Sequence, residues 1–188
     1  MKLNGLFIAL LFVCGVASAQ RPTFEKGDKV LNLGIGFGGT YYSSFSSGYS
    51  KSPFLSASLD VGIVDNVIDK GTIGVGGYIG YTGSKYSYAG HDYSWKQTDL
   101  IIGPRGVLSY PLLDKLDTYA GLLLAYHSVT WKESGVYTGW SGYGGGSSGI
   151  YLNGFVGARY YFTDKFAGML ELGSGGLAFG TIGVAVKF

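Results

Sequence analysis

Eight times along this chain, large apolar side chains recur at every second residue. That period belongs to the β-strand, whose successive side chains point to opposite faces; an amphipathic helix repeats near 3.6. In the first run, Val30 to Tyr41, Leu31, Leu33, Ile35 and Phe37 oppose Asn32, Gly34, Gly36 and Gly38. Leu55 to Ile63 then alternates with Ser56, Ser58, Asp60 and Gly62, and Ile73 to Tyr81 with Gly74, Gly76 and Gly80. Leu100, Ile102 and Leu108 oppose Asp99, Gly103, Arg105 and Ser109, while Ala120 to Tyr126 opposes Tyr119, Gly121 and His127. Leu152 to Phe162 alternates with Asn153, Gly157, Arg159 and Tyr161. Phe166 to Leu172 alternates with Ala167, Met169 and Glu171, and Ile182 to Phe188 with Thr181, Gly183, Ala185 and Lys187. Strands of roughly 9–13 residues, even in number, have the dimensions of a membrane barrel.

The second face decides which side meets solvent. A soluble barrel turns its large apolar side chains inward and polar ones outward. Here the alternate face is largely Gly, Ser, Asn and Thr, and charged residues are only 14% of the chain, too few for a soluble surface. With the assignment reversed, Leu, Ile, Val and Phe meet lipid and Gly leaves room in a narrow interior. An unpaired backbone group in hydrocarbon costs several kcal/mol, so the sheet must close. The sequence therefore predicts an all-β, eight-stranded antiparallel up-and-down transmembrane β-barrel over residues 29–188. Aromatic residues make up 16% of the chain, which excludes disorder. Fourteen basic against 12 acidic residues leave no footprint for nucleic acid.

Residues 1–19 read as a cleaved secretory signal peptide. Lys2 supplies the positive start, Leu6 to Val13 the apolar stretch and Ala17-Ser18-Ala19 the small-residue cleavage site. The only cysteine, Cys14, falls in this segment as a small apolar residue. Residues 20–28 form a periplasmic lead into the barrel. Intervals between strands alternate: Tyr42 to Pro53, Gly83 to Trp95 and Thr130 to Gly149 are long, while Val64 to Lys70, Pro111 to Leu116 and Thr163 to Lys165 are short. Outer-membrane barrels have long extracellular loops and short periplasmic turns. Gly173 to Gly176 is a short exception among the outer connections. Trp95, Tyr110, Tyr126, Tyr160, Phe162 and Phe166 fall near strand ends and are expected to form an aromatic girdle.

The Ala-x-Ala signal, the alternating strands, the segment GARYYFTDKFAGMLELG (Gly157 to Gly173) and the terminal Phe188 resemble small outer-membrane β-barrel proteins, the opacity-type and OmpA-like transmembrane domains of Gram-negative bacteria. The resemblance implies residence in the outer membrane and contact with its lipid. It also implies that the barrel-assembly machinery reads the last strand through Ile182, Val184, Val186 and Phe188. With no peptidoglycan-binding domain after Phe188, a cell-wall anchoring role is not expected.

Two of the three arginines, Arg105 and Arg159, share the inner face with Glu171, Asp60 and Asp99. Buried charges must pair, so these five are expected to form a lumenal ion-pair network, with Arg159 and Glu171 opposite or one diagonal apart across the turn Thr163 to Lys165. Eight strands enclose no open aqueous channel, which favours a structural network over a gate or proton path. Catalysis needs a nucleophile, a base and an orienting acid in reach. His127 and Ser128 are adjacent and so point to opposite faces, no carboxylate is evidently placed to orient either histidine, and His91-Asp92 lies in a loop. The expectation is a protein with no enzymatic activity, cofactor or metal. Loops such as YSSFSSGYSKSP and GSKYSYAGHDYSW combine aromatic anchors with small polar residues and suit binding of an extracellular ligand. A narrow pore or carrier for small solutes, and a lipid-modifying enzyme, are the alternatives.

Overall fold

The computed structural model describes residues 23–38, 49–87, 94–134 and 145–188. The expected signal peptide, the His91-Asp92 pair and much of three of the intervals read as loops lie outside the described residues. The strands are β1 (Lys29–Phe37), β2 (Tyr49–Lys51), β3 (Phe54–Val67), β4 (Gly71–Ser87), β5 (Ser94–Leu113), β6 (Leu116–Ser134), β7 (Gly146–Tyr161), β8 (Phe166–Leu172) and β9 (Gly180–Lys187). Strand β1 pairs antiparallel with both β3 and β9, and every other wall strand pairs with its sequence neighbours, so the sheet closes. The three-residue β2 pairs only with β4, continuing the line of β3 past Ser52 and Pro53. Pro53 has no N–H to give the ladder, which explains the interruption. The fold is an eight-stranded antiparallel up-and-down barrel.

Alternation along each strand sorts side chains as the sequence pattern predicts. Ile35, Leu122 and Ile182 are 54%, 56% and 61% exposed on the outer face, whereas Asp60, Asp117 and Arg159 on the inner face are fully buried. No helix among the described residues is long and apolar enough to cross a membrane.

Among the eight wall strands, lengths depart from the expected uniformity, from 7 residues in β8 to 20 in β5. Strands β4, β5 and β6 run on into the intervals Gly83 to Trp95 and Thr130 to Gly149, which the sequence pattern assigns to loops. Apolar alternation stops near Tyr81 and Leu100, but the ladder does not: Gly83 still faces Thr98, and Lys85 faces Lys96. Backbone pairing requires only donors and acceptors in register, so a strand outlasts its apolar pattern.

Described residues fold across the interior at both ends of the barrel. At the end carrying the short turns and both ends of the barrel segment, residues Thr23 to Asp28 fold back across the opening. Gly27 N donates to Gly62 O and Gly62 N to Asp28 O, each at 3.0 Å, and Phe24 is buried inside. At the opposite, loop end, Gly173 to Phe179 turns inward. The sequence reading treats Gly173 to Gly176 as a plain short connection; it is part of a plug containing a 3-10 turn (Ser174–Gly176). The Tyr151 hydroxyl and Asn153 amide donate to the carbonyls of Gly175 and Gly173, and Ala178 is buried. Gly173, Gly175 and Gly176 have φ of 85°, 57° and 73°, the left-handed region that permits so tight an inward fold.

Inward glycines allocate the remaining volume. A Cβ at Gly157 would lie 2.4 Å from the Tyr119 ring, and one at Gly121 would lie 2.4 Å from the Phe155 ring. These two rings fill the space and cover the central arginines. Replacing Gly157 with Ala is expected to destabilise the barrel by about 1–3 kcal/mol through overpacking. Thermal unfolding in detergent should show the drop, and the loss should shrink when Tyr119 is also truncated to Ala.

Candidate functional site

The inner face converges on a buried cluster of two guanidinium groups and three carboxylates. Arg159 sits on β7 near the turn end, on the same face as Phe24. Its Nη1 donates to Asp117 Oδ2 at 3.0 Å, its Nη2 to Asp60 Oδ2, and its Nε to Asn32 Oδ1 at 2.9 Å. Arg105 on β5 lies further in. Its Nη2 donates to Glu171 Oε2 at 3.0 Å. Its Nε lies 3.0 Å from Asp60 Oδ1, a charge contact rather than an aligned hydrogen bond. Asp60 thus joins the two arginines.

Neutral donors complete the cluster. Asn32 Nδ2 donates to Asp60 Oδ2 at 3.0 Å, the Ser109 hydroxyl to Asp117, and the Tyr119 hydroxyl to Glu171 at 3.1 Å. The aromatic rings admitted by Gly121 and Gly157 lie against the cations. Arg105 sits 4.1 Å from the Phe155 centroid and Arg159 4.2 Å from that of Tyr119, distances of cation–π attraction. Desolvated charges are tolerated only where each is paired and its remaining hydrogen-bonding groups are occupied. All five charged side chains are buried, so the arrangement is a solid ionic core, not a lined channel.

This differs from the sequence expectation in three ways. Register sets Gly157 opposite Glu171 and Met169 opposite Arg159, so Arg159 and Glu171 stand one diagonal apart as expected, but they form no ion pair. Glu171 instead reaches Arg105, on the far side of the ring. Asp99 is not in the cluster; it lies nearer the loop end, where its Oδ1 is 2.9 Å from His127 Nε2 and its Oδ2 accepts from Gln97. That contact also corrects the expectation that no carboxylate orients His127. Asp117, Asn32, Ser109 and Tyr119 were not expected as members. Asp117 has the inward parity of Tyr119 two residues on, a signal masked by its place beside the Asp114-Lys115 turn.

Of the expected girdle, Tyr126, Tyr160, Phe162 and Phe166 are exposed on the outer face and Tyr110 has the same outward parity. Trp95 does not belong with them. It shares the inward parity of Gln97 and Asp99, and its ring lies 6.2 Å from that of Trp131 near the loop-end mouth. Ile182, Val184 and Phe188 project outward and Val186, on the same face, is half-buried. Phe188 and Lys29 exchange backbone hydrogen bonds of 3.0 and 3.2 Å, tying the end of the last strand to the first.

No protein-family model matches this chain, and no curated protein does. Among solved structures, it is similar to Ail, the attachment invasion locus protein of Yersinia pestis, in complex with the heparin analogue sucrose octasulfate. The TM-score is 0.54 at 11% identity, covering 87% of this chain and 99% of that one. A second Ail structure gives a TM-score of 0.48 at 14% identity over the same shares. The first likeness shows the fold.

Removing one member of a buried ion pair typically costs 3–5 kcal/mol, because the partner is left charged and dry. Arg159→Leu is therefore expected to lower stability by about that much, read as a reduced denaturant midpoint for unfolding from detergent. A double-mutant cycle should give a coupling of about 0.5–3 kcal/mol for Arg105 with Glu171. A larger coupling for Arg159 with Glu171 would contradict the observed pairing.

Proposed function

We propose that this chain is a non-enzymatic outer-membrane β-barrel protein of a Gram-negative cell, acting structurally or through ligand contacts made by its extracellular loops. The observation that carries this reading is the inversion of the barrel: a continuous apolar outer face around an ionic, filled interior. Such a surface is stable against acyl chains and unstable against water. On this reading residues 1–19 direct export and are removed, and residues 20–28 lie in the periplasm. Outward Ile182, Val184, Val186 and Phe188 present the pattern read by the barrel-assembly machinery. Outward Tyr160, Phe162 and Phe166 meet the periplasmic headgroups, where aromatic rings are favoured.

A solute pore is the weaker reading, because the Phe24 fold, the arginine cluster and the Gly173 to Phe179 plug follow one another along the axis. A lipid-modifying enzyme is weaker still. His127 has an orienting carboxylate in Asp99, but among the described residues it hydrogen-bonds to no hydroxyl, the Tyr151 hydroxyl beside it donating to Gly175 instead, and Ser128 faces the other way. Ail, of like fold, was crystallised with a heparin analogue. Here the Tyr-, Ser- and Gly-rich loop segments are the surface that would meet an extracellular ligand.

Membrane-extracted protein is expected to migrate differently on gels before and after boiling, and to float with lipid vesicles. Planar bilayers containing it should show conductance no greater than background. Identical migration or a folded, detergent-free soluble form would refute the membrane reading, while steady single-channel currents would restore the pore.

A further inference from the structure

On the extended wall, Lys85 of β4 stands directly opposite Lys96 of β5, and Lys96 directly opposite Lys132 of β6. All three side chains are exposed, and their parity points them outward. Opposed residues on neighbouring strands have Cβ atoms only about 5 Å apart, and like charges so placed destabilise a sheet. Among the described residues none of the three has a carboxylate within ion-pair distance. The nearby acids among the described residues face inward, Asp99 onto His127 and Glu133 by its parity opposite Trp95. The rung on the belt side of the lysines is Gly83, Thr98 and Thr130, and the next rung away carries Ser87 opposite Ser94.

Height and direction identify what supplies the missing negative charge. The lysine row lies two rungs beyond the Tyr81–Leu100 rung, where the apolar belt ends, about 13 Å along the strands and less along the tilted barrel axis. Flexible lysine stems can close part of that gap by bending toward the belt. Because the side chains project sideways, their partner stands beside the barrel, in the plane of the leaflet. A soluble polyanion or a protein docking on the loops would instead meet the end of the barrel.

We propose that Lys85, Lys96 and Lys132 form a binding row for the phosphate groups of a phosphorylated glycolipid in the leaflet at the loop end. The proposal rests on the membrane reading above. Ammonium groups suit this task as point charges able to follow a mobile phosphate.

The test uses the full barrel reconstituted in zwitterionic phospholipid vesicles containing a small fraction of diphosphorylated lipid A, or the same lipid A after enzymatic dephosphorylation. Lipid A retained after extraction is counted by native mass spectrometry. Wild type should retain the phosphorylated form and release the dephosphorylated one. Retention should fall about tenfold or more in the combined variant Lys85→Gln, Lys96→Gln, Lys132→Gln, and persist when the three are changed to Arg. Equal retention by the Gln variant, or equal retention of both lipids, overturns the proposal. So does displacement of the bound lipid A by a soluble sulfated oligosaccharide at equimolar amounts. Vesicle flotation and the boiling shift are measured on the same samples. Protein that fails both refutes the membrane reading, whereas protein that passes both and ignores the phosphates refutes the lysine row alone.

Discussion

A closed ring of eight strands leaves an interior that side chains alone can fill, and no exit for any charge placed there. Every inward position competes for that volume. Gly157 and Gly121 surrender theirs to Tyr119 and Phe155, whose rings then cover Arg159 and Arg105. The guanidinium groups are dry but paired: Arg159 donates to Asp117, Asp60 and Asn32, Arg105 donates to Glu171 and lies against Asp60, and an amide and two hydroxyls donate to the carboxylates. The glycine content, the sparse charge and the aromatic enrichment are thus parts of one packing solution.

Filling the interior with ions instead of hydrocarbon has a consequence for specificity. An apolar core tolerates many arrangements of similar volume, whereas a half-satisfied polar network is costly. Asp60 touches β5 through Arg105, β7 through Arg159 and β1 through Asn32, so one carboxylate links four strands around the ring. A slip of one residue in any of them would turn a charged or amide side chain of the cluster onto the apolar face. The cluster therefore serves register as well as stability, and it leaves the flank and the loop end as the surfaces free to meet other molecules.

Strand number, alternation, closure and inside-out polarity were legible because each is a statement about parity, and parity survives small errors in strand boundaries. Pairing within the interior was not. Arg159 and Glu171 are hairpin neighbours one diagonal apart, yet Arg159 pairs with Asp60 and Asp117, and Glu171 finds Arg105 across the lumen. The same limit hid the Asp99–His127 contact, made between neighbouring strands at Asp99↔Val129 and Ile101↔His127. Trp95 was misplaced for a related reason: nearness to a strand end says that a ring is terminal, while only its parity in the extended β5 says which way it points.

By itself, the sequence determined that large apolar side chains would share one face and glycine, polar groups and a few ions the other, since a two-residue period leaves no other sorting. Which charges would touch, how far the walls rise beyond the apolar belt, and how Phe24 and the Gly173 to Phe179 segment fold across the two ends were decided only on closure. The reason is geometric. Alternation is a property of neighbouring residues, whereas contacts across a barrel depend on the stagger between strands, which no single strand encodes.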